Sequence, residues 1–131
     1  MAVKFTFKGK SLEELKQMEL KEFIELLPSN RKRSLTRGFT EPQKRLLNKI
    51  DLALQNKFKK PIKTHCRNMV ILPKMVGLTI HIHKGNKFEQ VLITQEALGM
   101  RLGELALTRT RLQHSAPGVG ATKSSSAVSV R

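Results

Sequence analysis

The stretch from Gly77 to Arg111 does most to limit what this chain can fold into. Leu78, Ile80 and Ile82 alternate with Thr79, His81 and His83, the period of a strand that buries one face. Lys84-Gly85-Asn86-Lys87 follows. Gly85 and Asn86 tolerate positive φ, so a hairpin turn is predicted there. Phe88, Val91 and Ile93 carry the returning strand, with Leu92 between them. Thr94 caps a predicted helix with Glu96 in its first turn and Leu98, Leu102 and Leu105 as its apolar stripe. Gly99 and Gly103 lie four apart and allow close backbone approach. The stretch leaves through Thr108-Arg109-Thr110-Arg111, where acidic residues have stopped.

Upstream, Ser11 with Glu14 three residues later has the form of a capping box. Leu12, Leu15, Leu20, Phe23, Ile24 and Leu27 follow at near-helical spacing. They predict one or two short amphipathic helices, broken near Met18 and ending before Pro28. Ser29 to Gly38 is a basic turn or short helix that Gly38 can terminate. Thr40, with Gln43 completing a box and Pro42 in the first turn, opens the clearest helix. Leu46, Leu47, Ile50, Ala53 and Leu54 are its stripe, and it should end near Asn56. A basic linker from Lys57 to Lys63 is held extended by Pro61. Phe58 within it either stacks on a base or closes the edge of a core, and the core reading is preferred. Met69-Val70-Ile71-Leu72 is a buried strand or a loop plugged into the core. The fold class is α+β: a small antiparallel sheet with helices packed on one face. Residues 1–27 form a helical N-terminal extension, 28–111 a globular domain, and 112–131 an extended basic C-terminal tail.

Charge narrows the function. The net charge is +15. Residues 1–27 hold five acids and five bases, whereas residues 28–131 hold five acids and twenty bases. A compact domain with that self-repulsion calls for a polyanion, and nucleic acid is the usual one. The neutral N-terminal helices should pack on protein or shield the domain, and not bind phosphate. The candidate phosphate contacts are Arg31, Lys32, Arg33 and Arg37, then Lys57, Lys59, Lys60, Lys63 and Arg67. The turn adds Lys84, Gly85, Asn86 and Lys87, and the exit adds Arg101, Arg109 and Arg111. Lys123 and Arg131 extend the set into the tail. Residues 114–131 hold five serines, two glycines, one proline and no acid. Such a segment cannot offset its ordering entropy alone. It suits a slim strand that orders against RNA.

No apolar run approaches bilayer length, and no long apolar signal region stands at the start. Both point to a chain that stays in the cytoplasm and off membranes. The single Cys66 suits that reducing compartment. His65, Cys66, His81 and His83 are the sole candidate metal set, but a zinc site needs three or four converging ligands with carboxylate support. No metal or other cofactor is expected. Pairing Cys66 with His65 or His81 for nucleophilic catalysis leaves no orienting acid and no oxyanion loop. Gly118-Val119-Gly120-Ala121-Thr122-Lys123 lacks the spacing of a true phosphate loop. No catalytic residue is assigned, and an enzyme is not expected.

The order Gly85-Asn86-Lys87, Leu98-Gly99, Leu102-Gly103-Glu104 and Thr108-Arg109 resembles the signature of a ribosomal protein family, the nineteenth of the small subunit in its archaeal and eukaryotic form. The tail from Pro117 to Ser125 resembles the C-terminal extension of that form. Met100-Arg101 and Leu105 depart from the family's commonest residues. The resemblance implies a two-layer α+β fold and a structural role in the small-subunit head, bound to small-subunit rRNA. It also implies a neighbouring head ribosomal protein, a bridge contact to the large subunit, and a tail that reaches toward tRNA and the decoding region. The alternative is a free-standing nucleic-acid-binding protein of the nucleoid or RNA-chaperone kind.

Overall fold

A computed structural model describes residues 4–113. Its elements are α1 (Leu12–Gln17), α2 (Leu20–Glu25), α3 (Ser29–Thr36), α4 (Glu41–Leu54), β1 (Ile62–Thr64), β2 (Thr79–His83), β3 (Phe88–Leu92) and α5 (Leu102–Leu105). Two of the helix starts, those of α1 and α4, follow their expected capping boxes. The Ser11 amide donates to Glu14 Oε2 at 2.7 Å, and the Ser11 hydroxyl accepts from the Glu14 amide at 3.4 Å. The Ser11 amide, then the Ser11 hydroxyl, hold the Glu14 carboxyl below its ordinary pKa. At α4 the Thr40 amide donates to Gln43 Oε1 at 3.0 Å, and Pro42 sits in the first turn, where no amide is needed. The break between α1 and α2 falls at Met18, which is extended at ψ 149°. After α3, Gly38 takes φ +91°, the left-handed turn that lets the chain reverse into α4.

Leu15, Phe23 and Leu27 of the N-terminal stretch are buried in one cluster with Leu46, Ile50, Ile80, Ile82 and Leu102. The neutral helices therefore pack on protein and share the domain's core. Phe58 packs against the edge of that cluster.

The sheet runs β1-β2-β3. The hairpin pair is antiparallel, from Thr79 opposite Leu92 to His83 opposite Phe88. The expectation of an antiparallel sheet needs one amendment. Ile62 and Lys63, the end of the expected linker, form with Thr64 a strand that joins β2 in parallel, with Ile62 opposite Ile80 and Thr64 opposite Ile82. The sheet is mixed, within an α+β fold. Its isoleucine face is buried against the helices. Lys63, His81, His83, Phe88, Gln90 and Leu92 share the other face, and Leu92 there is 59% exposed.

The helix expected from Thr94 onward is also amended. Gln95–Ala97 makes one 3-10 turn, Leu98 to Arg101 is not helical, and α5 begins only at Leu102. Gly99 at φ +76° interrupts it. The reason lies in Met69–Leu72, which is a buried plug. The Ile71 amide donates to the Met100 carbonyl at 2.8 Å, Gly99 donates to Ile71 at 3.3 Å, and Leu102 donates to Met69 at 3.0 Å. Buried main chain must be paired, so the plug takes hydrogen bonds that a continuous helix would have kept for itself.

The turn of the hairpin closes by the Lys84 amide donating to the Lys87 carbonyl at 2.9 Å. Gly85 has φ +106°, and nothing lies within 4 Å of where its Cβ would be. Gly85→Val should therefore cost only backbone strain, about 1–2 kcal/mol or somewhat more for a β-branched residue. Thermal melting should fall by roughly 5–10 °C on that basis. A valine variant as stable as the parent would remove the positive-φ requirement.

Candidate nucleic-acid interface

Four of the five acids beyond residue 27 are tied to cations. Glu104 accepts from Arg31 at 2.8 Å, Glu41 from Lys44 at 2.8 Å, Asp51 from Lys74 at 2.7 Å, and Glu89 lies 3.5 Å from Lys84. Lys32, Arg33, Arg37, Lys57, Lys59, Lys60, Lys63, Lys87, Arg109 and Arg111 are exposed. None of these ten forms an ion pair with another described residue. These ten exposed cations are left unneutralised by the described acids.

Two grooves gather some of the cations. The first, of about 510 Å³, brings Lys84, Gly85, Asn86 and Lys87 of the hairpin tip beside Thr108 and Thr110 of the exit segment. The hydroxyls and Lys87 there present donors to a phosphate strand, while Lys84 is held by Glu89. The second, of about 260 Å³, lies between α4 and β1 and is lined by Arg45, Lys49, Lys63, Thr64 and His65 together with Pro42, Leu46 and Cys66. Arg45 and Lys49 were not among the contacts expected from sequence. Their spacing of four residues puts them on one helix face one turn apart, and that spacing was the available signal.

Three expected contacts have inward employment. Arg31 is half-buried on Glu104, whose other oxygen accepts from the Arg101 amide at 3.1 Å. Arg101 donates to the Ser34 hydroxyl at 3.0 Å. Together they tie α3 to α5. Arg67 donates from Nη1 to the His83 carbonyl at 2.7 Å, and from Nη2 to the carbonyls of Gly103 at 2.8 Å and Ala106 at 2.6 Å. It clamps the end of β2 to α5. Lys123 and Arg131 lie outside the described residues.

Two of the described histidines meet Phe88 at the open sheet face. His65 and His83 stack with ring centroids 4.4 Å apart, and Phe88 meets both edge-on. Among the described residues no three His, Cys, Asp or Glu side chains are placed to hold a metal ion. Cys66 is a half-buried free thiol. No described helix is long and apolar enough to cross a membrane.

The sequence model of the family described as Ribosomal protein S19 matches residues 33–114. A protein of Methanococcus maripaludis (strain C7) named Small ribosomal subunit protein uS19 is 44% identical over 133 aligned positions, covering 98% of this chain and 83% of that one. The protein of the same name from Methanococcus vannielii is 45% identical with the same coverage. The matched span holds the whole sheet, the plug and both cationic grooves, and on that span and these identities the chain belongs to the ribosomal protein S19 family.

Proposed function

We propose that the chain is a structural constituent of the small-subunit head that holds small-subunit rRNA by its phosphates. Membership of a ribosomal protein family makes the role structural, not enzymatic. The observation that carries the rRNA reading is the pairing of four of five acids beyond residue 27, which leaves the exposed cations of that region unneutralised. Such a surface gains affinity by releasing counterions from a nucleic acid. A domain fixed in this way can also face a neighbouring head protein and the bridge to the large subunit through its neutral N-terminal helices. The test is crosslinking to cellular RNA read at nucleotide resolution. Crosslinks concentrated in small-subunit rRNA are expected, and crosslinks spread over messenger RNA or DNA would favour a free-standing binder.

Affinity for rRNA fragments should fall steeply with salt, with a log–log slope of several units. Changing Lys32, Arg33 and Arg37 together to Gln should flatten that slope by roughly 2 to 3 and leave melting unchanged. Arg31 is excluded from the set because it holds Glu104. An unchanged slope would remove α3 from the interface.

The tail is proposed to reach toward tRNA and the decoding region. Truncation after Gln113 should leave melting and incorporation into subunits nearly unchanged, while weakening tRNA retention or altering miscoding. Ribosomes that match the parent in both would make the tail a passive extension.

A further inference from the structure

We infer that the groove between α4 and β1 takes one unpaired nucleotide, its base stacked on His65 and its phosphate held by Arg45 and Lys49. The inference rests on the RNA-binding reading above and gives one of its grooves a defined ligand. Three observations support it. His65 is exposed, yet its ring is pinned: His83 stacks on it at 4.4 Å and 30°, and Phe88 meets it edge-on at 5.1 Å and 79°. His83 is itself fixed, because its Nδ1 accepts from the Gly85 amide at 3.2 Å. A preordered two-ring stack that ends at an exposed ring is a surface on which a third ring can add at little entropic cost.

The second observation is the groove against which His65 lies. Its lining combines apolar Pro42 and Leu46 with the cations Arg45, Lys49 and Lys63, and no acid is among its lining residues. Neither Arg45 nor Lys49 is ion-paired to another described residue. A ligand with a flat, partly apolar body and an attached anion matches that lining, and a nucleotide has both parts. The third observation is the contrast with the groove at the hairpin tip. That one is lined by lysines, threonines, Gly85 and Asn86, with no ring, so it suits sugar-phosphate backbone alone.

The test uses the full chain with two RNA hairpins that differ by one bulged 2-aminopurine. The protein has no Trp and no Tyr, so the base reports without interference, and His65→Trp would install a sole tryptophan. The bulged RNA is expected to bind about tenfold more tightly than the fully paired one, with the 2-aminopurine quenched. His65→Ala should abolish the preference and the quench. His65→Trp should keep both and show its own fluorescence quenched. Arg45→Gln with Lys49→Gln should weaken the bulged RNA more than the paired one. Should His65→Ala fail to fold by circular dichroism, the parent and His65→Trp still give the answer. Displacement by adenosine monophosphate would identify free nucleotides as a source of the same ligand chemistry, and a quench that only RNA elicits would restrict it to the strand. Equal affinity for both hairpins with no quench overturns the inference while leaving the electrostatic reading intact. Displacement of the bulged RNA by polyglutamate as readily as by the fully paired hairpin would also overturn it, by making the groove a site for any polyanion. No binding to either RNA overturns both readings.

Discussion

Arg67→Met should lower the melting temperature by on the order of 15 °C or more, the largest loss expected from any single exposed or half-exposed cation in the chain. The side chain sends hydrogen bonds to the carbonyls of His83, Gly103 and Ala106. Those residues come from the end of β2, from α5 and from the residue that follows it, so one guanidinium closes the sheet onto the last helix. Hydrogen bonds to charged groups contribute about 1.5–3 kcal/mol each, and leaving acceptors unpaired adds to the loss. Ala106 is fully buried, so water cannot replace its partner. Because such terms are not additive, the expected total is about 3–5 kcal/mol, a large share of the stability of a small domain. Arg67→Lys keeps the charge but not the planar fork, and should recover less than half of the loss. A lysine variant that melts with the parent while RNA affinity falls would move Arg67 from the clamp to the phosphate surface.

Gly99→Val should be more damaging than Gly85→Val, although both glycines have positive φ. A Cβ at Gly99 would stand 2.9 Å from Leu27 Cδ2 and 3.4 Å from Phe7 Cζ. Leu27 is 6% exposed, so its methyl has little room to retreat. Backbone strain of about 1–2 kcal/mol is thus joined by overpacking of about 1–3 kcal/mol. The clash falls on residues of the N-terminal stretch, so the earliest sign should be loosening of Phe7 and α2, visible as lost amide protection there. Adding Leu27→Ala to Gly99→Ala should remove the steric part and leave the conformational part, which a double-mutant cycle would separate. Strictly additive stability losses would show that the Gly99–Leu27 contact carries no energy.

The parts of the fold that were legible in the sequence are those set by neighbours along the chain. The alternation at Leu78 to His83, the left-handed requirement at Gly85, and the boxes at Ser11 and Thr40 each involve residues within a few positions. They fix local geometry before any tertiary contact exists. The misread parts were decided across long separations. Leu98, Leu102 and Leu105 have helical spacing, but Met69–Leu72 competes for the main chain around Gly99. Ile62–Thr64 is three residues long, too short for its period to register, and its partner strand begins at Thr79. The same distinction governs the site. Lys32, Arg33, Lys59 and Lys60 are exposed as their composition suggested. The inward duties of Arg31 and Arg67 depend on Glu104 and on carbonyls in and just after α5, which no local pattern announces. Arg45 and Lys49 were visible as a pair on one helix face, but only the position of β1 beside α4 gives them a common groove.

The plug has a consequence for how the protein is made. A ribosome releases its product from the N-terminus, so Met69–Leu72 emerges some thirty residues before the segment that covers it. Through that interval the main-chain hydrogen bonds that Met69 and Ile71 make with Gly99, Met100 and Leu102 cannot form, although the side chains of the plug share a core with the earlier helices and β2. The nascent protein is thus most open to misassociation shortly before its last helix appears. Closure is a late event, set by arrival of Gly99 to Ala106 and of the carbonyls that Arg67 binds. A subunit being built receives either a finished clamp or a chain that cannot yet hold its shape.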